Sequence, residues 1–367
     1  MKFVCEKNAL QREIAFAQEI ISSRSAMSVV SNVYLEAQDN SLLIRATDIK
    51  IGFETRMPVD VQEPGNLTVF CDKLSGILAS IPEGTIEVDQ KDTRVIIKPS
   101  FKKAQFSLKT IASEQFPQLP DIDDDRYFAT PLGDFKDMIA QTVFAVSDDE
   151  TRYFMNGVYL DRAPDGFIMV ATDGRRLAYI KRGIVEGIPD FKGVIIPPKL
   201  LSLVLHRASD EGQMYLAVNE KNLFIKFGQY RMSTVLIEGQ FPNYQKVIPE
   251  SQNFVAVMKR QDVIDALKRV SIFVEQKSRR TFFALSTGKL VISSEETEIG
   301  TAREEIPCAY EGDDAVIAMN YKYIEEPLRA IDTEEVSIRF TDVSRAITLA
   351  PEPQSDYFHI LMPMQVD

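Results

Sequence analysis

The side chains able to do acid–base chemistry near neutral pH are few in this chain. His206 and His359 are the only histidines. His206 stands in a Leu-rich helical stretch and His359 in a terminal strand-like run, so both read as structural residues. No Ser-His-Asp order, metal-spaced Cys/His set, phosphate-binding Walker loop or Gly-rich dinucleotide turn is present. Two acidic runs, Asp123-Asp124-Asp125 and Asp148-Asp149-Glu150, carry the oxygen ligands that a magnesium-dependent nuclease would need. The first falls in a Pro-rich connecting stretch and the second follows a helical segment, positions that argue against a built metal centre. Cys5, Cys71 and Cys308 are odd in number and widely spaced, which suits reduced, buried thiols better than a disulfide frame. The residues therefore predict no catalytic centre, no metal and no cofactor.

A chain of 367 residues exceeds one ordinary core, and its 45% apolar content excludes wholesale disorder. No apolar run reaches the length of a membrane span and no basic-then-apolar leader opens the sequence, so a cytoplasmic protein is expected. A net charge of −12 disfavours nucleic-acid binding unless the cations are gathered locally. They are unevenly placed: residues 1–125 sum to −5, residues 126–250 to zero and residues 251–367 to −7.

Internal repetition organises these residues. Ala46-Thr47-Asp48 returns 125 positions later as Ala171-Thr172-Asp173, and Gln115-Phe116-Pro117 returns at the same spacing as Gln240-Phe241-Pro242. Between them, Lys73-Leu74 matches Lys199-Leu200 at 126. Ordered matches at one offset indicate duplication. A third copy shows as pattern alone. Helical segments open the copies at 8–21, 131–146 and 260–274, with Leu10, Ile14, Ala17 and Ile21 forming the apolar face of the first. Thr130 and Pro131 read as N-cap and first turn of the second. Further helices are expected at 72–81, 198–208 and 320–331, with alternating strands around them. Each copy is thus α+β, two helices on antiparallel sheet. Linkers rich in proline or charge at 117–125 and 248–253 set the domains at 1–121, 126–249 and 253–367.

Three such units, the string Ala171-Thr172-Asp173-Gly174-Arg175-Arg176-Leu177-Ala178, Asn156-Gly157, Phe241-Pro242, the opening Met1-Lys2-Phe3 and the ending Met362-Pro363-Met364 together resemble the bacterial DNA sliding clamps, the DNA polymerase III beta subunit family. The resemblance runs from Met1 to the last few residues. It implies the clamp fold, with two inward helices and an outward sheet per unit. It also implies a homodimer of crescent-shaped chains closed head to tail into a ring around duplex DNA, a replication processivity factor without catalysis of its own.

Charge placement favours that closure independently. Residues 91–109 carry a local +5 and residues 295–314 a local −7, which would meet in a heterologous contact. Phe106 and Leu108 beside the basic stretch, and Ile272 and Phe273 near the acidic one, occupy the family's interface positions. Sliding requires attraction to phosphate without base reading. The candidates are Arg24, Lys73, Arg152, Tyr153, Lys199, Lys268, Arg269, Arg279 and Arg280. Residues 257–280 hold seven basic and three acidic side chains, making the most basic helix. Family members also touch DNA at the positions of Ser147-Asp148-Asp149, but two carboxylates are poor phosphate ligands.

The resemblance further implies a groove that accepts short peptides of the polymerase III catalytic subunit, the clamp loader and other replication and repair proteins. Its residues would be Met155, Thr172, Gly174, Arg175, Arg176, Leu177, Pro242, Val247, Ile360, Met362, Pro363 and Met364, bordered by Lys246, Asn320 and Tyr323. Methionine and aliphatic side chains suit adaptable peptide binding, and Arg176 is expected to fix a bound chain by charge. The ending Gln365-Val366-Asp367 departs from the family's common basic-then-aliphatic pattern, so peptide preference is expected to differ. A monomeric peptide-binding scaffold is the competing reading, separated from a clamp by self-association.

Overall fold

The computed structural model describes residues 1–21, 29–183 and 188–365. Arg24, Val366 and Asp367 lie outside them. Among the described residues six α-helices recur in pairs: α1 (Lys7–Ile20), α2 (Cys71–Ser80), α3 (Leu132–Ala140), α4 (Pro198–Arg207), α5 (Arg260–Val270) and α6 (Tyr321–Ala330). By internal packing the chain forms two compact units, Met1–Leu132 with Glu211–Leu236, and Gly133–Asp210 with Ile237–Asp367. The second sequence repeat is thus shared between them.

In the first unit a 13-stranded sheet runs from Phe128–Pro131 at one edge to Asp60–Glu63 at the other. Its continuity rests on Tyr230–Val235 pairing antiparallel with Ile51–Pro58, which joins strands of the first and second repeats. The expected apolar face of α1 is buried, with Leu10, Ile14, Ala17 and Ile21 each no more than 5% exposed. Helix α1 lies beside α2, where the Cys71 thiol points to the Ile14 carbonyl at 3.8 Å. Burial pushes the Cys5 and Cys71 thiols up to about 12.

The second unit holds an eight-stranded and a four-stranded sheet. Arg176–Gly183 pairs with Tyr357–Leu361 there and joins strands of the second and third repeats. The Ala-Thr-Asp repeat proves to be one turn built twice. Thr47 Oγ1 donates to the Ile51 carbonyl at 2.7 Å, and Asp48 Oδ1 accepts from the Lys50 and Ile51 amides. Thr172 Oγ1 donates to the Arg176 carbonyl at 2.6 Å, and Asp173 Oδ1 accepts from the Arg175 and Arg176 amides. One hydroxyl and one carboxylate thereby satisfy the polar groups of a tight strand-to-strand turn.

Local rules fail at one helix. Thr130 and Pro131 are not a cap and first turn but the end of strand Phe128–Pro131. Thr130 is paired to Met214, and its buried hydroxyl has no hydrogen-bond partner among the described residues. The expected helix 131–146 also stops at Ala140. Thr142 Oγ1 takes the Met138 carbonyl at 2.7 Å, and the Thr142 amide turns to Ile139, the back-bonding by which threonine ends a regular helix.

His359 is fully buried, its Nε2 2.5 Å from the Tyr357 hydroxyl. Burial first, then the Arg176 cation, depresses its pKa to about 3. The unfolded chain protonates this imidazole below about pH 6.5, so its contribution is complete above that value. It is lost as pH falls toward 3, at about 1.4 kcal/mol per unit. Calorimetric melting of the second unit should therefore weaken by roughly 2 kcal/mol from pH 7 to 5, and His359→Gln should flatten that dependence. An unchanged slope in the variant would remove His359 as the cause.

Candidate peptide groove and charged surfaces

The groove begins at the turn between strands Gly166–Thr172 and Arg176–Gly183. Gly174 sits at φ +87°, and a Cβ there would lie 2.7 Å from Arg152 Nη1. The backbone conformation selects glycine, whereas the Arg152 side-chain end could shift aside. Arg175 is exposed, and its carbonyl accepts from the Met362 amide at 2.9 Å, tying the C-terminal segment to the turn. The Met364 amide donates to the Ala318 carbonyl at 2.8 Å. Pro363, unable to donate, ends the strand pairing between them.

Arg176 departs from the expected role. Its side chain is only 9% exposed, and its three nitrogens serve Asp173 Oδ2, Glu326 Oε2 and the Phe144 carbonyl. The guanidinium also lies over the Tyr323 ring at 4.6 Å. It braces the groove wall from behind, and little of it faces solvent. Asn320 likewise turns inward, its Oδ1 capping α6 through the Lys322 amide at 3.1 Å.

Val170, Leu177, Ile195, Phe241, Tyr244 and Ile360 form one buried apolar cluster in this unit. Tyr159 stacks on Phe241 at 4.8 Å between centroids, and Tyr179 on Phe358 at 4.7 Å. Leu177 and Ile360 were expected in the groove; the aromatic residues around them were not. The repeat Gln240-Phe241-Pro242 was the available signal for Phe241. Met155 and Thr172 are buried, Pro242, Tyr323, Pro363 and Met364 half-buried, and Lys246 exposed. Val247 and Met362 stand 51% and 46% exposed, an unusual position for large apolar side chains and one that suits a partner surface.

The basic candidates are less uniform than the sequence implies. Lys73 is exposed and 3.6 Å from Asp72; Lys199 and Lys268 are exposed on α4 and α5. Arg152 Nε donates to Asp149 at 2.8 Å, with Tyr153 53% exposed beside it. The Thr151 hydroxyl and Arg152 hold the Asp149 carboxyl down to about 2, so it stays ionised, and the Arg152 guanidinium 2.8 Å away offsets its charge. Arg269 makes a two-pronged pair with Glu304, and Arg280 pairs with Glu295. Arg279, at φ +54°, bonds the Gln276 carbonyl. Of the acidic runs, Asp124 pairs with Lys226. Among the described residues no three His, Cys, Asp or Glu side chains gather as a metal site, and no helix is long and apolar enough to cross a membrane.

Two of the strand edges bear on the expected interface. In Phe106–Ile111, residues 106–109 pair with Arg94–Pro99 on one side, while only Thr110 and Ile111 pair on the other. Phe106 and Leu108 are half-buried on it. Strand Arg303–Pro307 is an edge of the four-stranded sheet. In the same unit Ile272 is 76% exposed and Phe273 packs near Gly300. Glu295, Glu304 and Glu305 are already met by Arg280, Arg269 and Lys289, so less acidity is available there than the sequence count of −7.

Comparison with known proteins gives three consecutive matches to models of the DNA polymerase III beta subunit. They are its N-terminal domain at residues 1–120, central domain at 131–243 and C-terminal domain at 245–365. The chain is 46% identical over 371 residues to the beta sliding clamp of Treponema pallidum, covering 100% of both. It is 30% identical over 382 residues to that of Rickettsia felis, again covering 100% of both. A Pseudomonas aeruginosa sliding clamp crystallised with griselimycin matches with a TM-score of 0.93 and 26% identity over 100% of each chain. The chain belongs to the DNA polymerase III beta subunit family, the DNA sliding clamps.

Proposed function

We propose that two copies of this chain close head to tail into a ring around duplex DNA and there tether the replicative polymerase, as a non-catalytic processivity factor of the cytoplasm. Three clamp domains, 1–121, 126–249 and 253–367, would make up each half. The observation that carries the ring is the opposite charge of two strand edges, a basic one with Phe106 and Leu108 and an acidic one with Ile272 and Phe273 in its unit. Strand addition would satisfy the bare backbone groups, apolar burial would supply most of the affinity, and opposite charge would set the register. Lys73, Lys199 and Lys268, exposed on helices, fit a weak and sequence-independent attraction to phosphate. Arg269, Arg279 and Arg280 are held by neighbouring groups and would contribute field more than direct contact.

The groove around Leu177, Ile360, Val247 and Met362 would hold short peptides of the polymerase III catalytic subunit, the clamp loader and repair proteins. Through Leu177 and Ile360 it rests on the buried apolar cluster, and its methionines can repack around different sequences. The deciding experiment loads the protein onto nicked circular DNA with a clamp loader and ATP, then cuts the circle. Retention on the circle and rapid loss from the linear form are expected. Equal retention on both would mean ordinary contact binding and favour the monomeric scaffold.

A further inference from the structure

The first unit contains a counterpart of the apolar groove with its chemistry changed. In the second unit, neighbouring strands carry the cross-strand row Tyr159, Val170, Tyr179, Phe358. At the same register the first unit carries Tyr34, Arg45, Glu54, Arg231. Tyr34, Arg45 and Glu54 each precede their counterparts by 125 residues, the offset of the sequence repeat. The aromatic cover is repeated too: Phe116 packs on Tyr34 at 5.6 Å, where Phe241 stacks on Tyr159. A stripe of apolar and aromatic side chains has become guanidinium, carboxylate, guanidinium.

This site encloses a cavity of about 470 Å3, walled by residues 118–121 of the connecting segment and by the sheet. Leu119, Phe224 and Met232 supply its apolar part; Arg45, Arg56 and Arg231 supply cations. Arg45 is engaged by Glu54 at 2.7 Å. Arg56 and Arg231 are exposed and form no salt bridge with any described residue. In a chain of net charge −12, two such guanidiniums beside a cavity make a local anion-attracting site. Glu54 and Asp121 in the same lining would repel a continuous phosphate backbone, whereas separate carboxylates interleaved with apolar side chains fit both the cations and the floor.

We propose that this cavity is a peptide-docking site, selective for an extended segment in which acidic and apolar residues alternate. The inference stands on the repeat and the cavity lining, and on no assignment of what the other groove binds. The test is methyl NMR of protein labelled at methionine, titrated with a short synthetic peptide alternating glutamate and leucine. Met232 reports this cavity, while Met362 and Met364 report the groove of the second unit. A saturable shift of Met232 is expected, weakened about tenfold or more in the double variant Arg56→Gln, Arg231→Gln, whose thermal unfolding should match the parent because both side chains are exposed. The same peptide with glutamine for glutamate should leave Met232 unmoved. Movement of Met362 and Met364 alone, or none at all, would overturn the proposal. So would a single-stranded oligodeoxynucleotide that shifts Met232 at lower concentration than the peptide does, since that would assign the cavity to nucleic acid.

Discussion

Ile272→Glu should convert the proposed dimer into monomers at concentrations where the parent chain assembles. Ile272 is 76% exposed in the single chain, so its replacement removes almost nothing from the fold. In a head-to-tail ring the residue is used at two identical interfaces. Burying one such side chain contributes about 1.5–3 kcal/mol, and a carboxylate put in its place must also be desolvated. Two interfaces together should lose about 4 kcal/mol or more, raising the dissociation constant roughly a thousandfold. Sedimentation velocity across a dilution series measures this. Val255→Glu is the matched control, since Val255 is also exposed, at 41%, in the same unit. Monomers from Ile272→Glu alone would support the interface. An unchanged dimer, or equal dissociation of both variants, would remove Ile272 from it.

How far such residues can be read from sequence depends on the distance over which they are determined. The buried face of α1, the second helix of each repeat and the Ala-Thr-Asp turn rest on interactions within a few positions, and periodicity or side-chain chemistry exposed them. The helix end at Thr142 is also local, but there a single hydroxyl overrode a continuing apolar period. Thr130 and Pro131 show the opposite failure. A sound capping signal yielded to pairing with Met214, 84 positions away. The apolar cluster around Phe241 was legible only in part because Tyr159, Tyr179, Phe241 and Phe358 come from three strands and a turn, and each alone looks like an ordinary core aromatic. The cations were the least legible. Arg269 and Arg280 read as free charge because their partners Glu304 and Glu295 lie 35 and 15 positions further on. The continuity of the sheets across repeat boundaries was equally hidden, since edge pairing between Tyr230–Val235 and Ile51–Pro58 leaves no local mark in either segment.

Arg176 sharpens that lesson into a measurable result. Expected as a rim cation for incoming chains, it is instead the tie between the turn at Asp173, the 3-10 turn bearing Phe144 and helix α6 through Glu326. Arg176→Ala would leave Asp173 Oδ2 and the Phe144 carbonyl without this donor and take the cation away from Asp173 and Glu326, and would open space under the Tyr323 ring. Breaking a buried pair from one side costs about 3–5 kcal/mol. For a unit of this size that lowers the melting temperature by on the order of 10 °C. Arg175→Ala, one residue earlier but exposed, should change stability by less than about 0.5 kcal/mol, because its hydrogen bonds use only its backbone. Pairing Arg176→Met with Glu326→Gln should recover part of the loss, since both charges then leave together. Differential scanning calorimetry of the three variants decides the matter. If Arg176→Ala melts with Arg175→Ala, the guanidinium is not a structural brace, and its place is again at the rim of the groove. If it melts far below, Arg176 acts on partners by holding Leu177 and the turn in position. Peptide affinity should then fall in Arg176→Ala through a displaced wall, with little change in its dependence on salt.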